Sequence, residues 1–326
     1  MNFRKLILIA AAFASVTISC KKDEDSESKP YIQGSMEVTG LPEFVAPHQK
    51  CTMKVKGAIH PEGKEIGYCW KVSPVMSKYD TTRYENGLNK KGEPSDGSFT
   101  YTFKDSLATY TIYCYAFATG YSSNTTTTYT TVVKTGKDGS ITGIEYPASN
   151  FTAIGTQIWT VANESKGEGG SFRNAEVMAK IFGRYYNYEQ AKAACESLGT
   201  EWKLPTKEDW EVLESYTKEH ADLGKTVAAA LMGPASFNGT LMWEYWPTVG
   251  KITNGTGFSA IPVGYANLAT GSYSGTYEYA AFWTSTEVED DSSMAYYKYL
   301  ICDQPDLYEG KADKNSFGAS VRCIMK

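Results

Sequence analysis

The sequence is short of the residues that most often carry chemistry, and it lacks long apolar runs. Histidine occurs only three times in 326 residues, and no Ser-His-Asp set, phosphate-binding loop or zinc-ligand spacing can be recognised. One apolar stretch, residues 6–14, stands out, and it is shorter than the roughly 20 residues that span a bilayer. These absences argue against most metal enzymes and against a protein with several membrane spans.

Positive charge is also in deficit. The chain has 32 Lys and Arg against 37 Asp and Glu, and it has no basic cluster with interleaved aromatics, which argues against nucleic acid as a partner. Tyrosine and glycine are abundant, at 24 and 29 residues, which is typical of exported β-rich domains with many turns. The length predicts two domains.

The N-terminus has the pattern of an export signal. Arg4 and Lys5 precede the apolar residues 6–14, small residues follow, and Cys20 stands immediately before the charged run at residues 21–25. This order resembles a bacterial lipoprotein signal. The resemblance implies cleavage before Cys20 and acylation of its thiol and its new amine. An ordinary secretory signal with a chance cysteine is the alternative.

The charged run after Cys20 continues into an acidic tether. Residues 1–19 are predicted to be removed as a signal peptide, and residues 20–30 have charge and serine but nothing to bury. The run resembles the signal that sends lipoproteins of Bacteroidetes to the outer face of the outer membrane, although a solvated spacer is the alternative. We therefore expect outer-membrane lipid to hold the protein through acylated Cys20, with the protein facing the cell exterior.

Residues 31–136 are predicted to form an all-β sandwich. The segments KCTMKVKGAI, EIGYCWKV and TYTIYCYAFATG read as strands with alternating faces, and PEGKE and PSDGS are typical turn segments. The pattern resembles immunoglobulin and fibronectin type III domains. Cys51 and Cys114 fall on the inward faces of their strands, which resembles the inter-sheet disulfide of immunoglobulin domains, whereas Cys69 faces the other way.

A linker at residues 137–150 leads to a second predicted domain at residues 151–326, in which helices alternate with strands. The segment NYEQAKAACESLG predicts a helix capped by Asn187. The segment TKEDWEVLESY predicts a second helix, in which Thr206 and Asp209 form a capping box. KTVAAALM predicts a shorter third helix, and strands and loops are expected for the remainder.

Six segments of the second domain carry a family resemblance. They are, in order, GTQIWTVAN, RYYNYEQAKAAC, WKLPTKEDWEVL, GFSAIPVGY, FWTSTE and GASVRCI. The series resembles the Fibrobacter succinogenes major paralogous domain, a module common in Bacteroidetes lipoproteins. The resemblance implies a C-type-lectin-like fold but no established activity. The predicted fold class is therefore an N-terminal all-β sandwich followed by an α+β C-type-lectin-like domain.

The same resemblance implies one disulfide. In C-type-lectin-like domains a cysteine of the first helix bridges a cysteine of the last strand, and Cys195 and Cys323 match those positions. The pairing of Cys69 and Cys302 stays open.

The candidate ligand-binding residues lie in LMWEYWPTVGKITNGTGFSA. Six of the seven tryptophans belong to the second domain, and Trp243, Tyr245 and Trp246 crowd into this turn-rich stretch. Exposed aromatic rings there can stack on sugar rings or on a partner protein. Trp243 and Tyr245 are predicted as the exposed pair, while Trp246 lies near a position where the family often has tryptophan. Loop-anchoring aromatics are the alternative.

The sequence does not contain a complete set of ligands for a metal site, either in a lectin-like or in an enzyme-like motif. The tripeptide QPD at residues 304–306 resembles the calcium ligands of sugar-binding C-type lectins, but the Trp-Asn-Asp motif that completes such a site is missing. KLPTKEDWE also resembles a helix of formylglycine-generating enzymes, yet His220 is the only histidine of this domain. We predict no metal, cofactor or catalytic residue. The expected function is non-catalytic glycan binding, with adhesion or a fimbria-associated structural role and protein partners as the alternative.

Overall fold

The chain forms two β-rich regions that contact each other. A computed structural model describes residues 29–74, 84–85, 88–89, 97–104, 109–133, 141–144, 146–244 and 246–326. We refer to the described residues up to Val133 as the first region and to those from Ile141 onward as the second region. Residues 1–28, with the predicted signal peptide, Cys20 and most of the tether, lie outside the described residues.

The first region consists of strands. Its described strands are β1 (Glu37–Thr39), β2 (Phe44–Val45), β3 (Lys50–Lys56), β4 (Gly67–Ser73), β5 (Tyr84–Glu85), β6 (Leu88–Asn89), β7 (Ser98–Thr102), β8 (Thr109–Phe117) and β9 (Asn124–Val132).

Two sheets of the first region share one core. One sheet has the order β1-β3-β7 and the other has the order β2-β9-β8-β4. The predicted alternation of β3 is confirmed, since Cys51, Met53 and Val55 are buried and the residues between them are exposed. Between the sheets the rings of Trp70 and Phe99 stack with their centroids 5.4 Å apart.

The predicted Cys51–Cys114 disulfide is wrong, because the structure has both residues as free, buried thiols. They lie on opposite sheets, and facing sheets pack about 10 Å apart, whereas a disulfide needs Cα atoms within about 7 Å. The stacked rings of Trp70 and Phe99 fill the same core. Burial raises the pKa of both thiols, which keeps them protonated. Cys69 is likewise buried.

The second region contains helices and short strands. The described helices are a 3-10 helix (Phe172–Asn174), α1 (Glu176–Phe182), α2 (Tyr188–Glu196), α3 (Lys207–Glu219) and α4 (Val227–Leu231). The described strands are β10 (Phe151–Ile154), β11 (Gln157–Thr160), β12 (Trp202–Lys203), β13 (Ser236–Phe237), β14 (Thr240–Leu241), β15 (Tyr265–Asn267), β16 (Ser272–Ser274), β17 (Tyr279–Val288), β18 (Asp291–Ile301), β19 (Tyr308–Asp313), β20 (Phe317–Gly318) and β21 (Ile324–Met325).

The two longer helices begin where the sequence predicts. The side chain of Asn187 accepts a hydrogen bond from the Gln190 N–H at the start of α2. At the start of α3, Thr206 and Asp209 form the predicted capping box. Each box satisfies backbone N–H groups that a helix start leaves without a partner. Among the helices that the structure describes, none has the length and apolar character needed to cross a bilayer.

The predicted fold class is wrong in its second half. Strands make up 40% and helices 14% of the structure, and the strands form several small sheets, which gives no support to an α+β C-type-lectin-like fold. The second region has sheets in the orders β10-β11-β21-β12, β16-β15-β20 and β17-β18-β19 and the hairpin β13-β14. Many of these strands have only two to four residues. Such short strands carry too little periodicity to be distinguished from loops in a sequence.

A disulfide joins helix α2 to the end of the chain. Cys195 on α2 is bonded to Cys323, the residue before β21, across a sequence separation of 128 residues. This is the pairing that the family resemblance implied. Both residues are completely buried among the side chains of α2, β17 and β18. Cys302 is a free, buried thiol.

The two regions meet through a small aromatic contact. The ring of Phe44 on β2 lies 6.0 Å from the ring of Phe172 and 6.3 Å from that of Phe237, measured between centroids. An ion pair between Glu43 and Arg173 flanks these rings. Val133, directly after β9, is buried in the same cluster as Phe172 and Phe237. The first region therefore docks on the second by the end of the sandwich at which β9 finishes.

We predict that the Cys195–Cys323 disulfide is a main source of stability of the second region. In the chain-entropy account, closing a loop of this length stabilises by about 4–5 kcal/mol. The Cys195→Ala/Cys323→Ala variant should lose about that much free energy of unfolding, measured by denaturant titration with tryptophan fluorescence. Cys302→Ala is the control, because it removes a buried thiol without opening a covalent loop. A double variant as stable as the control would contradict the prediction.

Candidate ligand-binding surface

The structure places Trp243 in the core. Its side chain is completely buried, and its indole Nε1–H donates to the carbonyl oxygen of Ala260 at 2.9 Å. The ring packs in the same cluster as Leu231 and Phe258. The prediction that Trp243 faces a ligand is therefore wrong. The physical reason is that its one polar atom finds a backbone acceptor inside the protein, so the whole side chain can be buried without loss.

Of the other two predicted ligand-binding residues, the structure describes Trp246 but not Tyr245. The side chain of Trp246 is 38% exposed, and its carbonyl oxygen accepts hydrogen bonds from the N–H groups of Val249 and Gly250 at 3.1 Å. These hydrogen bonds fix the turn, and part of the Trp246 ring is accessible to a ligand. Tyr245 lies outside the described residues, so its predicted role stays a prediction.

Two oxygens of the QPD tripeptide accept hydrogen bonds from other residues of the protein. The Gln304 Oε1 accepts a hydrogen bond from the hydroxyl of Tyr308 at 3.3 Å, and the Pro305 carbonyl accepts one from the Ala228 N–H at 2.9 Å. Asp306 lines a cavity of about 240 Å³ together with Lys218. In the part of the chain that the structure describes, no three His, Cys, Asp or Glu side chains are grouped as metal ligands.

A different set of partly exposed aromatic rings lies on one face of the β17-β18-β19 sheet and the adjoining strands β15 and β20. Strand register brings them together, because residues opposite one another in a sheet share a face. Tyr299 lies opposite both Ala281 and Tyr308, and Tyr297 lies opposite Trp283. We call this surface the tyrosine face, and it consists of Tyr265, Tyr279, Tyr297, Tyr299, Tyr308 and Phe317.

The rings of the tyrosine face form a closed circuit of contacts. Successive centroids are separated by 5.7 Å (Tyr265–Tyr279), 4.9 Å (Tyr279–Tyr299), 5.5 Å (Tyr299–Tyr297), 4.7 Å (Tyr297–Phe317) and 5.5 Å (Phe317–Tyr265). Tyr308 extends the circuit by stacking on Tyr299 at 5.6 Å. All six side chains are neither fully buried nor fully exposed. Each ring is thus fixed by its neighbours while part of it remains available to a ligand.

The circuit has a rigid base. The ring of Tyr297 lies over Gly310 on the neighbouring strand, since a Cβ atom at that position would be 2.5 Å from the Tyr297 Cζ. On the same face of the sheet, the completely buried Trp283 contacts Phe317 at 5.4 Å and donates its Nε1–H to the Tyr186 carbonyl at 2.7 Å. Rings held in this way lose little conformational entropy when a ligand binds.

The electrostatics of the tyrosine face favour ligands that carry no negative charge. Burial is the largest cause that raises the pKa of Tyr279, Tyr297 and Tyr308, so their hydroxyls stay protonated at neutral pH. Asp303 and Asp306 also raise the pKa of Tyr308, which means that both carboxylates lie close to that end of the face. A phosphate or carboxylate ligand would be repelled there.

Sequence reasoning missed the tyrosine face. The segment MAYYKYL places Tyr297 and Tyr299 two residues apart on one face of a strand, and that signal was visible. The remaining rings are distributed over four other strands. Which of them lie opposite Tyr297 and Tyr299 depends on the register of the sheet, and the sequence does not display register.

A separate cavity lies beside α1. It has a volume of about 160 Å³, and Tyr146, Asn163 and Lys180 are among the residues that line it. Next to Asn163 in the chain, the partly buried Glu164 has its pKa raised to about 7 by burial, against the opposing effects of Lys166 and Arg322. Folding therefore favours the protonated form of this carboxyl group.

Comparisons with known proteins give a family but no close relative. The family model described as "Fibrobacter succinogenes major domain" matches residues 144–325. A comparison with curated proteins gives no match. Among solved structures, the chain is similar to the adhesin InvE of Yersinia pseudotuberculosis at 12% identity and a TM-score of 0.25, over 91% of this chain and 71% of that one. A TM-score this low supports no conclusion about fold or function.

We predict that Glu164 makes stability depend on pH. The pKa of about 7 in the folded chain stands against an ordinary value of 4.5. As pH rises between those values the unfolded chain loses this proton first, so stability should fall over that interval and then level off. Glu164→Gln should remove this component of the pH dependence, measured by denaturant unfolding at pH 5 and pH 8.

The control for that measurement is Glu168→Gln, which changes an exposed carboxylate of the same loop. An unchanged pH profile in Glu164→Gln would show that Glu164 titrates normally.

Proposed function

The chain belongs to the Fibrobacter succinogenes major domain family, and we propose that it is a non-catalytic surface lipoprotein that binds a neutral glycan through the tyrosine face. The observation that carries the proposal is the closed circuit of five partly exposed rings, extended by Tyr308. Sugar rings present C–H groups on their faces and hydroxyls on their edges. A fixed aromatic surface with protonated phenol groups complements both.

The composition of the face supports binding rather than catalysis. Its six side chains are five phenols and one phenyl ring, so they supply no carboxylate, imidazole or thiol for bond cleavage. The nearby Asp303 and Asp306 support a neutral ligand over an acidic one. No metal or cofactor enters this proposal.

The location is part of the proposal and rests on the sequence. Apolar residues 6–14, the Ser19-Cys20 junction and the acidic residues that follow support an acyl anchor in the outer membrane with the chain facing outward. Acyl chains add about 0.8 kcal/mol per buried methylene, so several of them hold a protein firmly. A protein at that position meets extracellular polysaccharide directly.

We predict that Tyr299→Ala/Tyr308→Ala weakens glycan binding about tenfold or more. Each stacked ring contributes roughly 0.5–1.5 kcal/mol beyond area burial, and 1.4 kcal/mol is tenfold in affinity. A glycan array identifies the ligand, and calorimetry then compares the variants. Tyr296→Ala is the matched control, because it removes a partly exposed tyrosine of the same strand from the opposite face.

Three other outcomes of that experiment would indicate a different site, a bound cation or a protein ligand. Binding that is lost in Trp246→Ala but kept in the double variant would move the site to the turn at residues 246–250. Binding that disappears in EDTA would require a cation. Capture of a protein instead of any glycan, with the same dependence on Tyr299 and Tyr308, would replace the glycan by the adhesion alternative.

We predict that Cys20→Ala abolishes anchoring in the outer membrane. Without the thiol there is nothing to acylate, so the chain should stay as an uncut precursor or be released. Fractionation of cells and immunoblotting of the outer-membrane and soluble fractions measure this. Cys302→Ala, which removes a buried thiol remote from the signal, should fractionate like the wild type. A processed Cys20→Ala chain in the outer membrane would rule out the anchor.

A further inference from the structure

One end of the first region carries exposed apolar side chains. Tyr31 is 67% exposed and Ile59 is 57% exposed. Gln33 and Ile59 pair in antiparallel fashion through hydrogen bonds of 2.9 and 2.8 Å. Tyr31 lies two residues from Gln33 along the same extended segment, so the side chains of Tyr31 and Ile59 share a face. We call this surface, Tyr31 with Gln33 and Ile59, the N-terminal pole.

The backbone of the pole is fixed from both sides. The Ile32 N–H donates to the Ser122 carbonyl at 2.9 Å, and the Ser122 N–H donates to the Pro30 carbonyl at 2.8 Å. Ile32 itself is buried, at 2% exposure. Because alternate residues of an extended segment point to opposite sides, burial of Ile32 holds Tyr31 outward.

The pole and the second region lie at opposite ends of the sandwich. Ser122 bonds to the pole and lies two residues before the start of β9. Val133, one residue after the end of β9, is packed against the second region. A strand of nine residues spans about 30 Å at roughly 3.3 Å per residue. That length separates the exposed apolar side chains from the second region.

The pole also includes a residue that lies close in sequence to the proposed anchor. Tyr31 follows Cys20 by 11 positions, and even a fully extended tether of that length reaches only about 40 Å. Close to the pole in sequence, Glu62 pairs with Lys64 at 2.6 Å and accepts a hydrogen bond from Tyr121, and Lys29 is exposed two residues before Tyr31. These groups carry no net negative charge, so anionic headgroups do not repel them.

We propose that the N-terminal pole rests on the membrane surface, with Tyr31 and Ile59 in the interfacial layer. This inference rests on the proposed anchor at Cys20. Tyrosine suits a membrane interface, because its ring enters the apolar boundary while its hydroxyl stays among the headgroups. A tether of this length makes the contact intramolecular, so two side chains suffice where free association would need more. The second region is then held outward by the length of β9.

The experiment replaces acylation by a chemical bond between the protein and a lipid. The mature, unacylated chain from Cys20 onward is coupled through the Cys20 thiol to a maleimide lipid in phosphatidylethanolamine and phosphatidylglycerol nanodiscs, one chain per disc. The cysteines among the described residues are all buried, and Cys195 and Cys323 are joined in the disulfide, so the maleimide should react selectively with Cys20. Hydroxyl-radical footprinting then reads the modification rate of Tyr31. The result is independent of acylation in cells, so failure here is distinguishable from failure of the anchor itself.

We expect the modification rate of Tyr31 to fall by about threefold or more on coupling, because its ring leaves water, and this protection to be lost in Ile59→Ser. Tyr129, 56% exposed on β9, is the internal control and should be unaffected. Equal rates for Tyr31 in free and coupled chains would overturn the proposal. Protection that appears only on crowded vesicles and not on single-chain discs would assign the pole to a second copy of this chain instead.

Discussion

The buried guanidinium of Arg322 is the interaction on which the second region depends. It is 1% exposed and lies over the rings of Phe258 and Phe282, with its Cζ 4.6 and 5.6 Å from their centroids. Its N–H groups donate to the Oδ1 of Asn163 and to the carbonyl oxygens of Thr160, Phe258 and Ser259. These acceptors come from separate parts of the chain, and a buried charge that loses its partners costs several kcal/mol. Arg322 therefore fixes three elements relative to one another: the strand β11, the loop at residues 258–259 and the sheet that carries the tyrosine face.

Local patterns in the sequence predicted those elements whose pattern lies within one short segment of the chain. The alternation of β3 and β8 and the capped starts of α2 and α3 agree with the structure because the residues that determine them are neighbours in the chain. The Cys195–Cys323 pairing came from the family resemblance, not from periodicity. The fold class was wrong because strands of two or three residues, such as β13 and β20, leave no repeat to detect.

The candidate site was harder to predict because long-range geometry determines it. Trp243 is core because a carbonyl group 17 residues further on accepts its indole N–H, and the turn-rich sequence around it gives no sign of that acceptor. The tyrosine face combines residues from five strands, from Tyr265 on β15 to Phe317 on β20. A shift of one residue in the pairing of β18 would move Tyr297 and Tyr299 to the opposite face of the sheet.

The disulfide has a consequence for a protein exposed to proteases. All six residues of the tyrosine face lie in the chain between Cys195 and Cys323, which are covalently joined. A single backbone cut anywhere in that interval therefore leaves both fragments in one covalent molecule. The hydrogen-bonded strands and the packed rings then hold the cut ends in place. The tyrosine face can therefore be nicked without being shed.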